Sequence, residues 1–327
     1  MLGLAIAPSF SSIMVKTAFI FPGQGSQYAG MGKEVSDEFR CARDAFHQAD
    51  HALGFPLSLL CFQGQDEDLK LTHNTQPAIL TVSIAISRVL QEMKIHPDYV
   101  AGHSLGEYSA LVCAGGMTLE QTVQVVRKRG RYMQEAVPLG EGAMAAIVGL
   151  DADDVIEICK ASSEPGVVSP ANFNSPEQTV IAGNAEAVRR ASEKAKERGA
   201  KRVVPLPVSA PFHCALMAPA RDRLEEDLRE LKIENLRVPL VSNVDAMEVR
   251  DGNSARDSLV RQVCAPVRWV ESVRYLARAG VSRFVEVGPG RVLCPLVKKI
   301  EPAAQVFNVE NIRGIEALAS QEPGAKM

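Results

Sequence analysis

The chain has 327 residues, 46% of them hydrophobic and 23% charged, with a formal net charge of −3. That is the ordinary globular range, long enough for one large domain with an insertion or for two modest domains. The charge balance and 5% aromatics exclude a basic or base-stacking surface for nucleic acid, and no apolar run reaches the ~18 residues of a membrane span.

The seven cysteines are scattered, with no Cys-x-x-Cys and no nearby histidine cluster. They predict reduced thiols in a cytoplasmic protein without a zinc site. Residues 1–13 are mildly apolar and lack a basic start, so they make a poor signal peptide. Met14 directly precedes the strand pattern Lys16-Thr17-Ala18-Phe19-Ile20-Phe21, which marks Met14 as the expected start and 1–13 as an N-terminal extension. Pro22-Gly23-Gln24-Gly25-Ser26-Gln27 follows, with a helix expected from about 28. A glycine loop between strand and helix can aim backbone N–H groups at an anion, and Gln24 can supply one to an oxyanion. A plain tight turn accounts for the same residues. A dinucleotide fingerprint does not, because Tyr28 stands where its third glycine belongs.

A helix is expected over 39–53. His47 and His51 are four apart on it without a third ligand, which reads as solvated surface and not as a metal site. A long apolar helix follows over 75–94. Tyr99-Val100-Ala101 then reads as a short buried strand and 107–114 as a helix. Between them, Gly102-His103-Ser104-Leu105-Gly106 is the nucleophile-elbow pattern, with Ser104 at the tip of a sharp turn. The flanking glycines are required because a Cβ at either position would clash in so tight a turn. The N–H groups and positive end of the following helix then face any negative charge near Ser104.

The next helix is expected over 118–136, with Leu119, Val123, Val126, Met133 and Val137 as its buried stripe. Arg127, Lys128, Arg129 and Arg131 share it. Lys128 points away from the stripe, and Arg129 lies at its edge beside Met133, which makes Arg129 the arginine of this helix expected to be partly buried. Periodicity alone favours an Arg129 that lays its stem on apolar surface and keeps its head in water over a buried one.

From about 138 the pattern changes to strand, helix, strand, strand, helix, strand, over 143–150, 153–162, 167–172, 179–182, 185–198 and 202–208. This βαββαβ order is ferredoxin-like and marks 141–207 as an inserted subdomain. Gly199 is placed to end its second helix. Arg189, Arg190, Lys194, Lys196 and Arg198 crowd that helix, either as a solvated face or as a docking face for an acidic partner. Pro207-Val208-Ser209-Ala210-Pro211-Phe212-His213-Cys214 leads back to the main domain, with His213 just past a strand in a proline-restricted segment. An amphipathic helix is expected over 215–231, a strand over 239–243, helix broken at Pro266 over 258–277, and a last strand with a tight turn over 283–290. The last dozen residues read as frayed, with 319–327 a flexible tail.

A serine nucleophile needs a base at neutral pH. Of the six histidines, His47 and His51 lie on a surface helix, His73 and His96 flank loops, and His103 leaves the turn beside Ser104 in another direction. His213 remains, downstream of the serine as in hydrolases. The acids between them in chain order, Asp151, Asp153 and Asp154, open a helix, where acids are favoured anyway. A triad acid is therefore missing. A Ser-His dyad, with backbone carbonyl or amide groups orienting the imidazole, fits better.

Phe21-Pro22-Gly23-Gln24-Gly25-Ser26-Gln27, Gly102-His103-Ser104-Leu105-Gly106-Glu107-Tyr108, the segments 129–137 and 172–175, His213-Cys214-Ala215-Leu216-Met217 and Glu286-Val287-Gly288-Pro289-Gly290 together resemble the malonyl-CoA–acyl carrier protein transacylase family, over about 14–318. The resemblance implies an α/β-hydrolase-like parallel-sheet core, over 14–140 and 208–318, carrying the ferredoxin-like subdomain. It implies Ser104 as acylated nucleophile, His213 as base, and Arg129 as partner of the malonyl carboxylate. The backbone N–H groups of Gln24 and Leu105 would form the oxyanion hole, Gln262 would support the histidine through backbone and side chain, and Asn172 would position His213 or substrate. Ala210-Pro211-Phe212-His213 resembles the form that related polyketide acyltransferases carry when they select malonyl over methylmalonyl. The expected activity is malonyl transfer from malonyl-CoA to acyl carrier protein for fatty acid biosynthesis, by a cytoplasmic monomer using no metal or cofactor. A serine thioesterase or esterase on the same core, or an inactive binding partner of a larger synthase, are the alternatives.

Overall fold

The computed structural model describes residues 15–208 and 210–321. The 1–13 extension, its boundary at Met14, and residues 322–327 of the expected tail lie outside the described residues.

The chain opens with β1 (Lys16–Phe21) and runs through α1 (Lys33–Glu38), α2 (Arg40–Leu53), α3 (Leu57–Gln63), α4 (Asp66–Lys70) and α5 (Thr72–Glu92) to β2 (Tyr99–Gly102), α6 (Gly106–Cys113) and α7 (Leu119–Glu135). A second unit follows: β3 (Gly142–Val148), α8 (Ala152–Ser162), β4 (Val168–Ser175), β5 (Gln178–Asn184), α9 (Ala185–Glu197) and β6 (Arg202–Pro205). A short 3₁₀ turn, Ala215–Met217, then leads to α10 (Ala218–Arg229), β7 (Leu240–Val241), β8 (Glu248–Val249), α11 (Gly252–Gln262), α12 (Trp269–Arg278), β9 (Val281–Val287), α13 (Leu293–Ile300), β10 (Gln305–Val309) and α14 (Ile312–Ala319).

The main sheet has the order β10-β9-β1-β2-β7-β8. All its pairings are parallel except β7 with β8. Helices cover both faces, so the central strands read as continuous apolar runs without alternation: Ala18, Phe19, Ile20 and Phe21 are all buried. Helix α5 is buried on nearly all sides, as a helix without a polar face must be. Register matters for function here. Phe21 pairs with Gly102, so the glycine loop after β1 and the elbow after β2 leave the sheet side by side at its carboxyl edge.

The second unit forms a separate four-stranded antiparallel sheet of order β4-β5-β3-β6. Its own core joins Ala145, Ile147 and Ile181 to Val155 and Ile158 of α8 and Val188 and Ala191 of α9. Gly199 takes φ 97° just past α9 and ends that helix. Two backbone bonds stitch the unit to the main one: Phe173 N–H to the Val267 carbonyl and Val267 N–H to the Ala171 carbonyl, both 2.9 Å.

Several expected elements differ. No helix begins at 28: Gly30 and Gly32 take φ of 97° and 76° and turn the chain, so α1 starts at Lys33. The expected strand over 202–208 stops at Pro205, leaving His213 in a loop and not directly past a strand. The strand over 283–290 is not the last, because β10 adds at the sheet edge beside β9. Nor is the C-terminal segment frayed throughout: α14 reaches Ala319, with Ile315 and Leu318 fully buried and Asn311 capping its start.

Candidate active site

Ser104 sits between β2 and α6 with φ 52°, a left-handed conformation that non-glycine residues rarely adopt. The turn is as tight as the glycines demand. A Cβ on Gly102 would lie 1.9 Å from the Gly106 carbonyl carbon, and one on Gly106 would lie 2.0 Å from the Phe21 carbonyl oxygen. His103 turns away from Ser104. Its Nε2 meets Asn174 Oδ1 at 2.8 Å, and its ring packs edge-on against Trp269.

His213 also has positive φ, 61°. That strain aims the ring: Ser104 Oγ is 2.7 Å from Nε2, and Nδ1 meets the backbone carbonyl of Gln262 at 2.9 Å. The carbonyl accepts from Nδ1–H and leaves Nε2 as the basic nitrogen facing serine. A carbonyl thus stands where a triad would have its carboxylate. Asp151 is engaged elsewhere, capping α8 by accepting from the Asp154 N–H at 2.8 Å. Burial, reinforced by the nearby Arg129 cation, holds the His213 pKa down to about 3 against the opposing effect of the Gln262 carbonyl. The imidazole is therefore neutral across the physiological range, with the Nε2 lone pair toward Ser104.

Arg129 is 1% exposed. It does not reach water, contrary to the reading that periodicity favoured. Its Nη1 donates to Gln76 Oε1 at 2.8 Å, and Nη2 donates to Gln262 Oε1 at 2.9 Å and to Ser104 Oγ at 3.3 Å. Two uncharged amides make room for a guanidinium that helical spacing alone would have sent outward. Among the described residues no carboxylate lies within ion-pair distance of it. Burial lowers its pKa, offset by Tyr108 and Glu107. The Tyr108 ring lies beneath it, 5.4 Å from Cζ to ring centroid.

Three residues went unrecognised in the sequence. Gln76 holds Arg129. Asn243 accepts the Ser104 backbone N–H at 2.8 Å and donates to the Gly102 carbonyl at 2.6 Å. Glu107 is 1% exposed, and its Oε2 accepts from the Asn243 N–H and from Gln262 Nε2. Only the strand-to-helix context of Glu107 was visible, and nothing local marked it as more than a helix acid.

A cavity of about 110 Å³ opens above Ser104, lined by Gln24, His103, Met144, Asn172, Leu206, Val208, Phe212 and His213. Asn172 lines it without a side-chain bond to His213. The Gln24 and Leu105 backbone N–H groups donate to no other described residue. Exposed His47 and His51 stand apart on α2, and among the described residues no three metal-ligating side chains are grouped to hold an ion.

A family model described as an acyl transferase domain matches residues 18–315. Relatives include the malonyl CoA-acyl carrier protein transacylases of Bacillus subtilis, 48% identical over 93% of this chain and 96% of the relative, and of Escherichia coli K12, 50% identical over 88% and 93%. The chain belongs to the malonyl-CoA–acyl carrier protein transacylase family. As a member of that family it is an acyltransferase. The structure of the Coxiella burnetii malonyl CoA-acyl carrier protein transacylase superposes with a TM-score of 0.92 at 43% identity, covering 95% of this chain and 98% of that one. A malonyl-transacylase solved in complex with its type II PKS acyl-carrier protein superposes at 0.91, with 45% identity over 94% and 100%. The mixed α/β architecture and its parallel sheet are shared with these structures. No helix among the described residues is long and apolar enough to cross a membrane.

Proposed function

We propose that this chain moves a malonyl group from malonyl-CoA to the phosphopantetheine thiol of acyl carrier protein, through a malonyl ester on Ser104, in cytoplasmic fatty acid biosynthesis. The observation that carries this reading is the pairing of a Ser104–His213 contact of 2.7 Å with a buried guanidinium 3.3 Å from the same hydroxyl. The dyad suits any acyl thioester. The arginine suits an acyl group that ends in a carboxylate.

In the first half-reaction His213 Nε2 takes the Ser104 hydroxyl proton as Oγ attacks the thioester carbonyl. The oxyanion faces the Gln24 and Leu105 N–H groups, each typically contributing about 3 kcal/mol in such a hole. The C–S bond breaks, and His213 returns the proton to the departing CoA sulfur. In the second half-reaction the carrier thiol gives its proton to His213 and its sulfur attacks the ester carbonyl. The C–O bond breaks, and Ser104 recovers the proton. The scheme runs without a cofactor. Asn172 lines the cavity and has a positioning role toward substrate. In the same reading, 14–140 and 208–318 form an α/β-hydrolase-like catalytic domain and 141–207 a ferredoxin-like subdomain. Support comes from the elbow at the carboxyl edge of a parallel sheet, and from a βαββαβ unit whose sheet order is second, third, first, fourth.

Mass spectrometry of the intact protein after malonyl-CoA tests this directly. A single malonyl adduct should map to Ser104 and pass to the carrier's thiol. His213→Ala should slow its formation by ~10²–10⁴, whereas Asn at Asp151, Asp153 or Asp154 should not. Release of CoA and free malonate without an accumulating adduct would mark a thioesterase, and neither adduct nor CoA release would mark an inactive binding protein.

A further inference from the structure

We infer that Glu107 is a positioning residue for the reaction, a buried acceptor that sets the Gln262 side chain and, through it, Arg129. The inference rests on the reading of Arg129 as the partner of the substrate carboxylate. Glu107 lies three residues after the serine, in the first turn of α6. Its Oε2 accepts from Gln262 Nε2 at 2.7 Å and from the Asn243 backbone N–H at 3.0 Å. Both partners clasp the strained Ser104 backbone. Asn243 Oδ1 takes the Ser104 N–H at 2.8 Å, and Gln262 Nε2 donates to the Ser104 carbonyl at 3.1 Å. Gln262 also presents Oε1 to Arg129 at 2.9 Å and its backbone carbonyl to His213 at 2.9 Å. One carboxylate therefore reaches serine, histidine and arginine through a single intermediary residue each.

The chemistry of the pair explains why an acid stands there. The two ends of a glutamine amide have nearly the same shape, so packing cannot choose between its two orientations; hydrogen-bond partners must. A guanidinium only donates, and an ionised carboxylate only accepts. Set between them, Gln262 is held with oxygen toward Arg129 and nitrogen toward Glu107. A neutral residue at 107 that can also donate weakens that discrimination, leaving it to Arg129 and the Ser104 carbonyl. The arrangement is costly for the acid: Glu107 is 1% exposed, and its Oε1 has no hydrogen-bond partner. Burial raises its pKa to about 7 despite the opposing bonds from Gln262 and Asn243, so the acceptor-only form predominates above neutral pH. A side chain serving the fold alone would be better replaced by an apolar one of similar volume.

The test is a coupling measurement on the full chain, reading the malonyl-to-acetyl ratio of kcat/KM. Glu107→Gln should lower the ratio by about 10-fold or more, because a displaced guanidinium no longer grips the carboxylate. In a Gln262→Met background, where the intermediary amide is gone but the backbone carbonyl to His213 remains, the same change should lower it no further. If Glu107→Gln does not fold, Glu107→Asp, which keeps the charge and withdraws the oxygens by a methylene, carries the same two comparisons. An unchanged ratio, or an equal loss in both backgrounds, overturns the inference. Arg129→Ala separates the two readings. If it leaves the ratio intact, the carboxylate assignment itself fails; if it abolishes the ratio while Glu107→Gln does not, only the role of Glu107 fails.

Discussion

At the scale of single residues, the proposed reaction assigns its selectivity to Arg129. Burying a guanidinium without a carboxylate is expensive, and two amide oxygens compensate only part of the lost hydration. A malonyl carboxylate completes the site, whereas an acetyl group leaves the cation unpaired. Arg129→Ala should therefore lose malonyl transfer and gain acetyl transfer in relative terms. Arg129→Lys should recover only part of the malonyl activity, because an ammonium cannot reproduce the planar fork. Lys128→Ala is the control. Lys128 is half exposed and pairs with Asp227 at 2.5 Å, an interaction worth about 0–1 kcal/mol. An unchanged malonyl-to-acetyl ratio in Arg129→Ala would sink the assignment and turn attention to Arg131. The sequence located this arginine but misjudged its depth. Helical spacing places a side chain on a face, yet it cannot show that Gln76 and Gln262, 53 and 133 residues away, will wrap it. Asn243 and Glu107 were hidden for the same reason, since their partners are brought together by the fold and not by spacing. Ser104 was legible because its turn is local and its two glycines are sterically required.

Elements differ in legibility for a related reason. Those with a local signature read well. α7 has a capping box at Thr118, and α9 has its Gly199 stop. β10 was missed because it is a half-buried edge strand of five residues without clear alternation. α13 was missed because Pro295 looks like a breaker, although the third position of a helix tolerates it. The basic helix α9 is a case where composition leaves two readings open. In the structure Arg189 pairs with Glu186 and Glu193 at 2.6 Å, and Arg198 pairs with Asp154 at 2.7 Å. Arg190 donates to the carbonyls of Ser162 and Pro165 at 2.9 and 2.7 Å, and Lys194 donates to that of Ala161. Arg190 and Lys194 tie α9 to the end of α8, where positive charge is favoured, while Arg189 is paired within α9 and Arg198 reaches the first turn of α8. Arg190→Glu should accordingly cost about 2 kcal/mol of stability, the size of a lost charged hydrogen bond. It should leave the KM for acyl carrier protein close to wild type. Thermal melts and the two half-reactions, measured separately, decide the matter. A raised carrier KM with an unchanged melt would mark α9 as the docking face.

At the scale of the whole molecule, residues of both units line the cavity above Ser104. The main unit supplies Gln24, His103, Ser104, Val208, Phe212 and His213 to the walls of the cavity of about 110 Å³, and the second unit supplies Met144, Asn172 and Leu206. The backbone stitch through Val267 and the His103–Asn174 bond hold these walls in register. Arg129 can read the carboxylate end of the substrate, but it is blind to a branch at the carbon between carboxylate and thioester. That discrimination falls to the apolar lining of the cavity, which includes Leu206 of the second unit and Phe212 of the main one. Leu206, half-buried and hydrogen-bonded through its N–H to the Met144 carbonyl at 2.9 Å, is the residue whose trimming enlarges the cavity with least damage to either core. Leu206→Ala should raise the methylmalonyl-to-malonyl ratio of kcat/KM by roughly 10-fold, within the ~1–3 kcal/mol that one carbon is worth in an apolar pocket. The malonyl-to-acetyl ratio should stay unchanged, because the guanidinium is untouched. A methylmalonyl ratio that does not move would assign the selection to Phe212 of the main unit, and would mean that the second unit closes the cavity without reading what lies inside it.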